Sequence, residues 1–258
     1  MSWRKLTDIQ WGKISKHLPV RKKSPQGGRP PTDNKKCFEG ILWILWTGAP
    51  WSDLPSRYGS KSTVHRRLQE CTESGTLEHL WKTFLSQLQE KEQIRWNECF
   101  VDGTFSSAKK GEKDSEKPSG VREQSLWYWL MARIGIHVDS ASPSEVKLLV
   151  PTLATVQIKT HQPQRLIADK GYDSNEIRKR LKDRGIEPII PARKNNRKAT
   201  DQDRRKLRRY RSRWIVERTI AWLQNFRRLV VRYERSVTIY SALVHMVCAL
   251  IALKRVLG

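Results

Sequence analysis

The spacing of apolar residues changes character near Trp96. Before it, apolar positions recur every three or four residues, the helical period. Thr7 is placed to cap a first helix whose Trp11, Ile14 and Leu18 lie near one face, and Pro19 ends it. Residues 21–32 form a basic linker in which Gly27-Gly28-Arg29-Pro30-Pro31 cannot continue a helix. Asp33 is placed to cap a strongly apolar helix over Asn34–Thr47, which Gly48-Ala49-Pro50-Trp51 breaks. Two more amphipathic helices follow, one beginning at Ser60-Lys61-Ser62-Thr63 and one spanning Thr76–Glu90.

After Trp96 short apolar runs alternate with helical stretches. Asn97–Phe105, Ile136–Val138 and Arg165–Ala168 read as strands. Asn175–Arg184 reads as a helix with Gly185 at its C-terminal cap, and Ile186–Ile190 as a strand stopped by Pro191. Beyond the charged connection at Lys194–Arg209, one long helix is predicted from about Lys206 to Phe226. The apolar run Val237–Leu253 is short for a membrane span, contains Ser241 and His245 and ends at Lys254-Arg255, so it predicts a buried helix. The pattern therefore predicts an all-α region over residues 1–92, followed by an α/β region over residues 93–258.

Charge narrows the partners. The 258 residues carry a formal net charge of +24, with Lys and Arg spread through core-like segments rather than confined to a tail. A chain this basic calls for a polyanion, and nucleic acid fits better than a membrane surface. Lys61, Arg66 and Arg67, in a helix with a Ser/Thr-rich start, suit the reading helix of a helix-turn-helix, although an ordinary helix with a solvated basic face would look the same. Cys37, Cys71, Cys99 and Cys248 are scattered without a paired spacing, which points to reduced thiols in a cytoplasm rather than structural zinc.

Three carboxylates stand in settings suited to chemistry. Asp102 and Asp169 close apolar strand-like runs, and Glu217 lies in the basic helix. Taken singly, each has an ordinary explanation as a turn former or a helix salt bridge. Together, in a basic chain, they suit an oxygen-lined site for two hard cations about 4 Å apart beside a phosphodiester. Lys170 flanks Asp169. Arg213 and Arg218 flank Glu217, with Arg213 one turn before it and able to face the same site.

The segments Val101-Asp102-Gly103-Thr104-Phe105 and Ile167-Ala168-Asp169-Lys170-Gly171-Tyr172-Asp173, with the run Leu207–Tyr233, resemble the DDE transposases of bacterial insertion sequences, most of all the group named after insertion sequence five. The N-terminal Trp51-Ser52-Asp53-Leu54-Pro55 and Thr63-Val64-His65-Arg66-Arg67 resemble the small helical domain of that group. The resemblance implies an RNase H-like mixed sheet with flanking helices, preceded by a DNA-binding domain. It implies Asp102, Asp169 and Glu217 as the catalytic and metal-binding triad, with two Mg²⁺ ions expected and Mn²⁺ able to substitute. It further implies cut-and-paste transposition on the element's terminal inverted repeats and a target DNA, by a homo-oligomer on paired ends in the bacterial cytoplasm at the nucleoid, with no membrane partner. Tyr210 and Arg213 match the group's Tyr and Arg upstream of the Glu. Its downstream Lys is missing, since Gln224 stands seven residues after Glu217 with Arg227 and Arg228 beyond. Arg208, Arg209, Arg227 and Arg228 are the remaining expected DNA contacts.

The resemblance fails between Gly111 and Gly135, where the group has a basic loop and an apolar strand ending in Asp-Gly. Read from the third base of each codon, Trp127-Tyr128-Trp129 forces Val then Leu, and Met131-Ala132 forces Gly. Permitted codons can spell TKRGKGTK followed by FMVLVDG. The expectation is two compensating frameshifts, near Gly111–Lys117 and near Arg133–Ile136, the alternatives being a genuine lineage variant or chance codon degeneracy; Ser125–Val138 is apolar enough to fill the second strand's place or to form a helix instead, with a displaced sheet edge and a damaged site at Asp102. Three readings stand on the sequence: an active transposase, a DNA-binding protein of the same ancestry without catalysis, and a structure-selective nuclease using the same acids.

Overall fold

The structure is a computed structural model that describes residues 5–20, 30–108, 124–130, 135–140, 145–193 and 204–258. The expected frameshift boundaries fall outside these residues, except for Gly135 and Ile136. The chain separates into two compact units. One gathers the residues up to Phe84 and from Gln224 onward, and the other runs from Leu85 to Leu223.

The first unit is helical. Helix α1 (Asp8–Ser15) opens with a capping box: Thr7 accepts from the Gln10 N–H, and the Gln10 side chain accepts from the Thr7 N–H. In α2 (Asn34–Thr47) the Asp33 carboxylate accepts from the Lys35 and Lys36 N–H groups, so the first turn's free donors are met. Cys37, Phe38, Ile41, Leu42, Ile44 and Leu45 then bury one face. The helix stops at Gly48, whose φ of 70° is open to glycine at little cost. An added Cβ there would also meet the Arg227 Cβ at 3.0 Å.

Ser60 caps α3 (Lys61–Glu73) through the Thr63 N–H, and α4 (Thr76–Glu90) follows after the turn at Ser74-Gly75. Residues 48–60 between α2 and α3 contain two short 3₁₀ turns. That is a longer connection than the three- or four-residue turn of a compact helix-turn-helix.

The second unit is built on a sheet. Strands β1 (Glu98–Ala108), β2 (Gln124–Leu130), β3 (Ile136–Ser140), β4 (Arg165–Ile167) and β5 (Glu187–Ile189) lie in the order β3-β2-β1-β4-β5. β1, β2 and β3 form an antiparallel meander, while β1, β4 and β5 run parallel. The sheet is thus mixed and the unit α/β, as expected. The departing segment forms β2 rather than a helix, and its ladder with β1 runs in unbroken register from Val101↔Leu130 to Ser107↔Gln124. Helix α5 (Glu145–Ala154) packs on β2 and β3, and α6 (Asn175–Asp183) packs on β5.

The single long helix expected from Lys206 is broken. It consists of a short α7 (Arg204–Leu207), a 3₁₀ segment over Arg208–Arg213, and α8 (Trp214–Gln224). Tightening to three residues per turn places positions i and i+3 in line, and this aligns Tyr210 with Arg213.

The chain returns to the first unit through α9 (Arg227–Val230) and α10 (Val237–Leu257). Within that unit α10 packs on α3 and α9, and α2 packs on α1, α3 and α9. Among the described residues α10 is the one helix long and apolar enough to cross a membrane, but 67% of its apolar window is buried. Each of its fully buried Leu, Val and Ile side chains is worth roughly 1.5–3 kcal/mol.

Candidate active site

Parallel register sets the first two acids side by side. β1 and β4 pair through Cys99↔Leu166 and Phe100↔Ile167. Asp102 and Asp169 each lie two residues beyond that last pair: Asp169 just past the carboxyl end of β4, and Asp102 part-way along β1, where that strand runs on beyond β4 in its ladder with β2. Both acids therefore lie where the parallel pairing of β1 with β4 gives out, at the strand from which the sheet extends in both directions. The apolar residues before each acid anchor it: Cys99, Phe100, Val101, Leu166, Ile167 and Ala168 are all buried.

The third acid arrives from α8, and one guanidinium gathers all three. Arg213 Nη2 donates to Asp102 Oδ2 at 2.9 Å. Its Nη1 lies 3.0 Å from Asp169 Oδ2, and Nη2 lies 3.7 Å from Glu217 Oε1. Nη1 also donates to the Tyr210 hydroxyl at 2.7 Å. Burial works against the Arg213 charge, but the Tyr210 hydrogen bond and the Asp102 carboxylate outweigh it and raise its pKa above the ordinary arginine value.

Three carboxylates around one guanidinium leave a local formal charge of minus two. Asp169 Oδ1 is buried and has no hydrogen-bond partner among the described residues. The donor set is all oxygen, which suits hard divalent cations. In the arrangement seen, however, the acids are spaced around Arg213. Among the described residues no group of three His, Cys, Asp or Glu side chains is closed tightly enough to hold a metal ion by itself. The residues therefore fit such a cation by chemistry, with the guanidinium standing in the middle of them.

A support behind Asp169 was not foreseen. The Asp173 side chain is fully buried and accepts from Arg178 Nε at 3.0 Å, Arg178 Nη2 at 2.8 Å and the Arg193 N–H at 2.7 Å. Arg193 in turn donates to the carbonyls of Lys170 and Gly171 at 2.9 and 2.6 Å. These bonds staple the 3₁₀ turn Lys170–Tyr172, which Asp169 begins, to the chain beyond β5. The only sign of it in the sequence is a second acid four residues after Asp169.

The expected DNA contacts separate. Lys61, Arg66, Arg208 and Arg227 are exposed. Arg67 turns inward to Glu70 at 3.4 Å, leaving its side chain 12% exposed. Arg209 is half-exposed and paired with Glu98. Arg228 is withdrawn altogether and is corrected from a DNA contact to a structural group. Its Nε and Nη2 donate to Glu234 Oε1 at 2.9 and 2.7 Å, and its Nη1 donates to the Ala49 carbonyl at 3.0 Å, all inside the helical unit. A guanidinium with its donors so engaged has nothing left to offer a phosphate.

Comparison with known proteins agrees with this architecture. Residues 98–252 match the family profile described as "Transposase DDE domain", and residues 6–81 match one described as "Putative transposase of IS4/5 family". The chain belongs to the DDE-domain transposase family. Among curated relatives it is similar to the "Putative transposase for insertion sequence element IS402" of Burkholderia cepacia, at 39% identity over 121 residues, 44% of this chain and 54% of that protein. The "Insertion element IS402 uncharacterized 16.2 kDa protein" of the same organism is 33% identical over 46% of this chain and 84% of its own length. The chain thus spans about half the length of the first of these relatives. Among solved structures, a pre-cleavage Mos1 transpososome is similar at 10% identity over 96% of this chain and 86% of that one, with a TM-score of 0.27.

Proposed function

We propose that this chain cleaves DNA strands at the ends of an insertion sequence and transfers them to target DNA, with Asp102, Asp169 and Glu217 holding two divalent cations, Mg²⁺ or Mn²⁺. The observation that carries this reading is the convergence of the three carboxylates on Arg213 at 2.9, 3.0 and 3.7 Å. When bound, such cations supply a more acidic attacking hydroxyl and a counter-charge for the leaving oxygen.

The protein's own groups do the rest. Arg213 offsets the mutual repulsion of the acids and is itself held by Tyr210. A phosphodiester entering this cluster offers Arg213 a better-matched, bidentate partner, and its departure toward the phosphate frees carboxylate oxygens for cations. The Asp173 staple keeps Asp169 from following. Exposed Lys61, Arg66, Arg208 and Arg227 neutralise backbone phosphates, so binding should weaken steeply with salt. In this reading DNA is recognised from within residues 1–92 and the catalytic groups come from within residues 93–258, whose last stretch from Gln224 belongs to the helical unit; the working form is an oligomer on paired inverted repeats, and the site of action is the bacterial nucleoid.

The test is metal-dependent cleavage of a DNA fragment carrying the element's ends, by wild type and by Asp102→Asn. Activity in the wild type and its loss in the variant, with DNA binding retained, is the expected result. Cleavage that survives Asp102→Asn rejects the assignment. The second reading, in which the copy binds ends without cutting, is picked out by retained binding with no nicking, and sequencing the gene bears on its cause. That reading is favoured if the codons of residues 117–133 spell the group's strand in the offset frame; if they do not, the segment is a real variant and the cleavage assay separates the two readings.

A further inference from the structure

Residues 205–213 lead straight into the acid cluster, yet none of them is buried. Helix α8, which follows at once, is anchored by buried Val216, Thr219, Ile220 and Leu223. Apolar packing therefore fixes the helix that carries Glu217 and leaves the segment before it to charge. Arg213 is the last residue of that segment, so the cation that gathers the three acids sits on the loosely packed side of the junction.

The charges are in register. Glu98↔Arg165 and Arg165↔Glu187 are paired across β1, β4 and β5, which sets a row of acid, base and acid across the start of three parallel strands. Side chains alternate along a strand, so Asp102, four residues beyond Glu98, lies on the same face of β1. The cations of the segment meet these acids in order. Lys206 Nζ lies 2.5 Å from Glu187 Oε1, Arg209 pairs with Glu98, and Arg213 follows at Asp102 and Asp169. The Lys206 hydrogen bond, helped by Arg165, holds the Glu187 carboxyl below the usual carboxylate range. Even so, Lys206 and Arg209 keep 57% and 45% of their side chains exposed. Exposed ion pairs are weak singly and are screened by salt. Arg208 and Arg211 are exposed as well, so the segment also offers charge to the solvent side. Such a fastening sets a resting position that a polyanion can undo.

We propose that residues 205–213 are a strap that keeps Arg213 among the acids, and so keeps divalent cations out, until a DNA strand draws the strap away, with Glu98 and Glu187 as its latches. This deepens the cleavage reading and rests on it. A guanidinium and a pair of cations compete for the same carboxylate oxygens, so Arg213 has to leave before the ions settle. Tyr210, bonded to Arg213 at 2.7 Å, travels with it. DNA phosphates compete with Glu98 and Glu187 for Arg209 and Lys206, and each rung lost makes the next easier to lose. Glu217 stays behind on its packed helix. Linkage requires the converse: DNA tightens cation binding by the same factor by which cations tighten DNA binding.

The experiment counts Mn²⁺ bound to the full chain by electron paramagnetic resonance, with and without a short DNA duplex of arbitrary sequence. Subtracting the same titration of Asp102→Asn, duplex included, leaves the ions held by the acids. The duplex should tighten that binding in wild type about tenfold or more. Glu98→Gln with Glu187→Gln should tighten it about fivefold or more with no DNA present, and should shrink the further gain from DNA. The sign separates the strap from simple attraction. Removing two nearby negative charges would by direct Coulomb interaction weaken cation binding, so an increase requires the release of Arg213. Each single substitution should move the affinity part of the way, so either can be read alone if the double variant fails a thermal-unfolding check.

Mn²⁺ affinity that stays at or below the wild-type value in the DNA-free variants overturns the strap. So does a wild type that binds Mn²⁺ equally well with and without duplex, and in both cases the cleavage reading stands. A wild type indistinguishable from Asp102→Asn even with duplex present shows that the acids hold no cation, and the cleavage reading then fails along with the strap.

Discussion

Two arginines, one in each compact unit, differ in how completely their surroundings match them. Arg228 meets one carboxylate, Glu234, and a backbone carbonyl, and only 4% of its side chain is exposed. Charge and donors are matched, and nothing is left over. Arg213 meets three carboxylates, keeps 13% of its side chain exposed, and leaves its own Nε and Asp169 Oδ1 without partners. That cluster is short of positive charge and of hydrogen bonds. A closed pair needs no ligand, whereas an under-neutralised cluster of oxygens has charge left to offer a cation. The lesson is to count charges and donors around each arginine before assigning it a role.

The contrast yields four tests. The largest effect belongs to the open cluster. Asp102→Asn, Asp169→Asn or Glu217→Gln should each lower metal-dependent strand cleavage on the order of a thousandfold or more, as for loss of one charged group from a transition-state site. Folded stability, followed by denaturant unfolding, should barely move. Activity that persists in all three variants would break the comparison.

The closed pair should behave in the opposite way. Arg228→Ala strands the buried Glu234 carboxylate and should cost about 3–5 kcal/mol in denaturant unfolding. Replacing both partners by Met and Leu should cost much less, because no charge is left unpaired. Salt titration of DNA binding gives a finer separation. Arg227→Ala should lower the slope of log affinity against log salt by about one, whereas Arg228→Ala, measured while still folded, should leave it unchanged.

The smallest effect concerns a histidine of the helical unit. His245 stacks on Trp81 with ring centroids 5.5 Å apart, and burial lowers its pKa below the ordinary 6.5, with Lys82 pulling the same way and Glu78 opposing. In the unfolded chain it takes up a proton near pH 6.5, and in the folded chain only at lower pH. Its contribution to stability is therefore full above about pH 6.5 and is lost as pH falls through the depressed folded value. His245→Phe, which keeps a ring against Trp81, should flatten the fall in melting temperature between about pH 7 and pH 5.

Much of the helical unit was legible in the residues. Thr7, Asp33 and Ser60 all cap helices as their types suggest, because a cap is a local device. The strands at Glu98, Ile136, Arg165 and Glu187 were legible for a similar reason, as short apolar runs between turn signals. The 3₁₀ break at Arg208–Arg213 was not, since a basic run carries no periodicity that separates it from an ordinary helix. The candidate acids could be picked out from their settings. Their gathering around a single guanidinium could not, because Asp102 and Arg213 meet across 111 residues of chain. Arg228 misled for the converse reason: exposure is a property of packing, and its neighbours Arg227 and Arg228 look alike in sequence.

The unbroken ladder between β1 and β2 has a consequence for heredity. A strand is held within a sheet through main-chain N–H and C=O groups, which are the same whatever the codons specify, provided proline is absent. Gln124–Leu130 contains none. A reading frame lost and regained on either side of such a strand can therefore change every side chain along it and still complete the hydrogen-bonded row beside Asp102. The second strand becomes a stretch of gene in which small insertions and deletions are cheap. Lineages of such elements should accumulate paired frame changes there sooner than in the apolar approach to either aspartate.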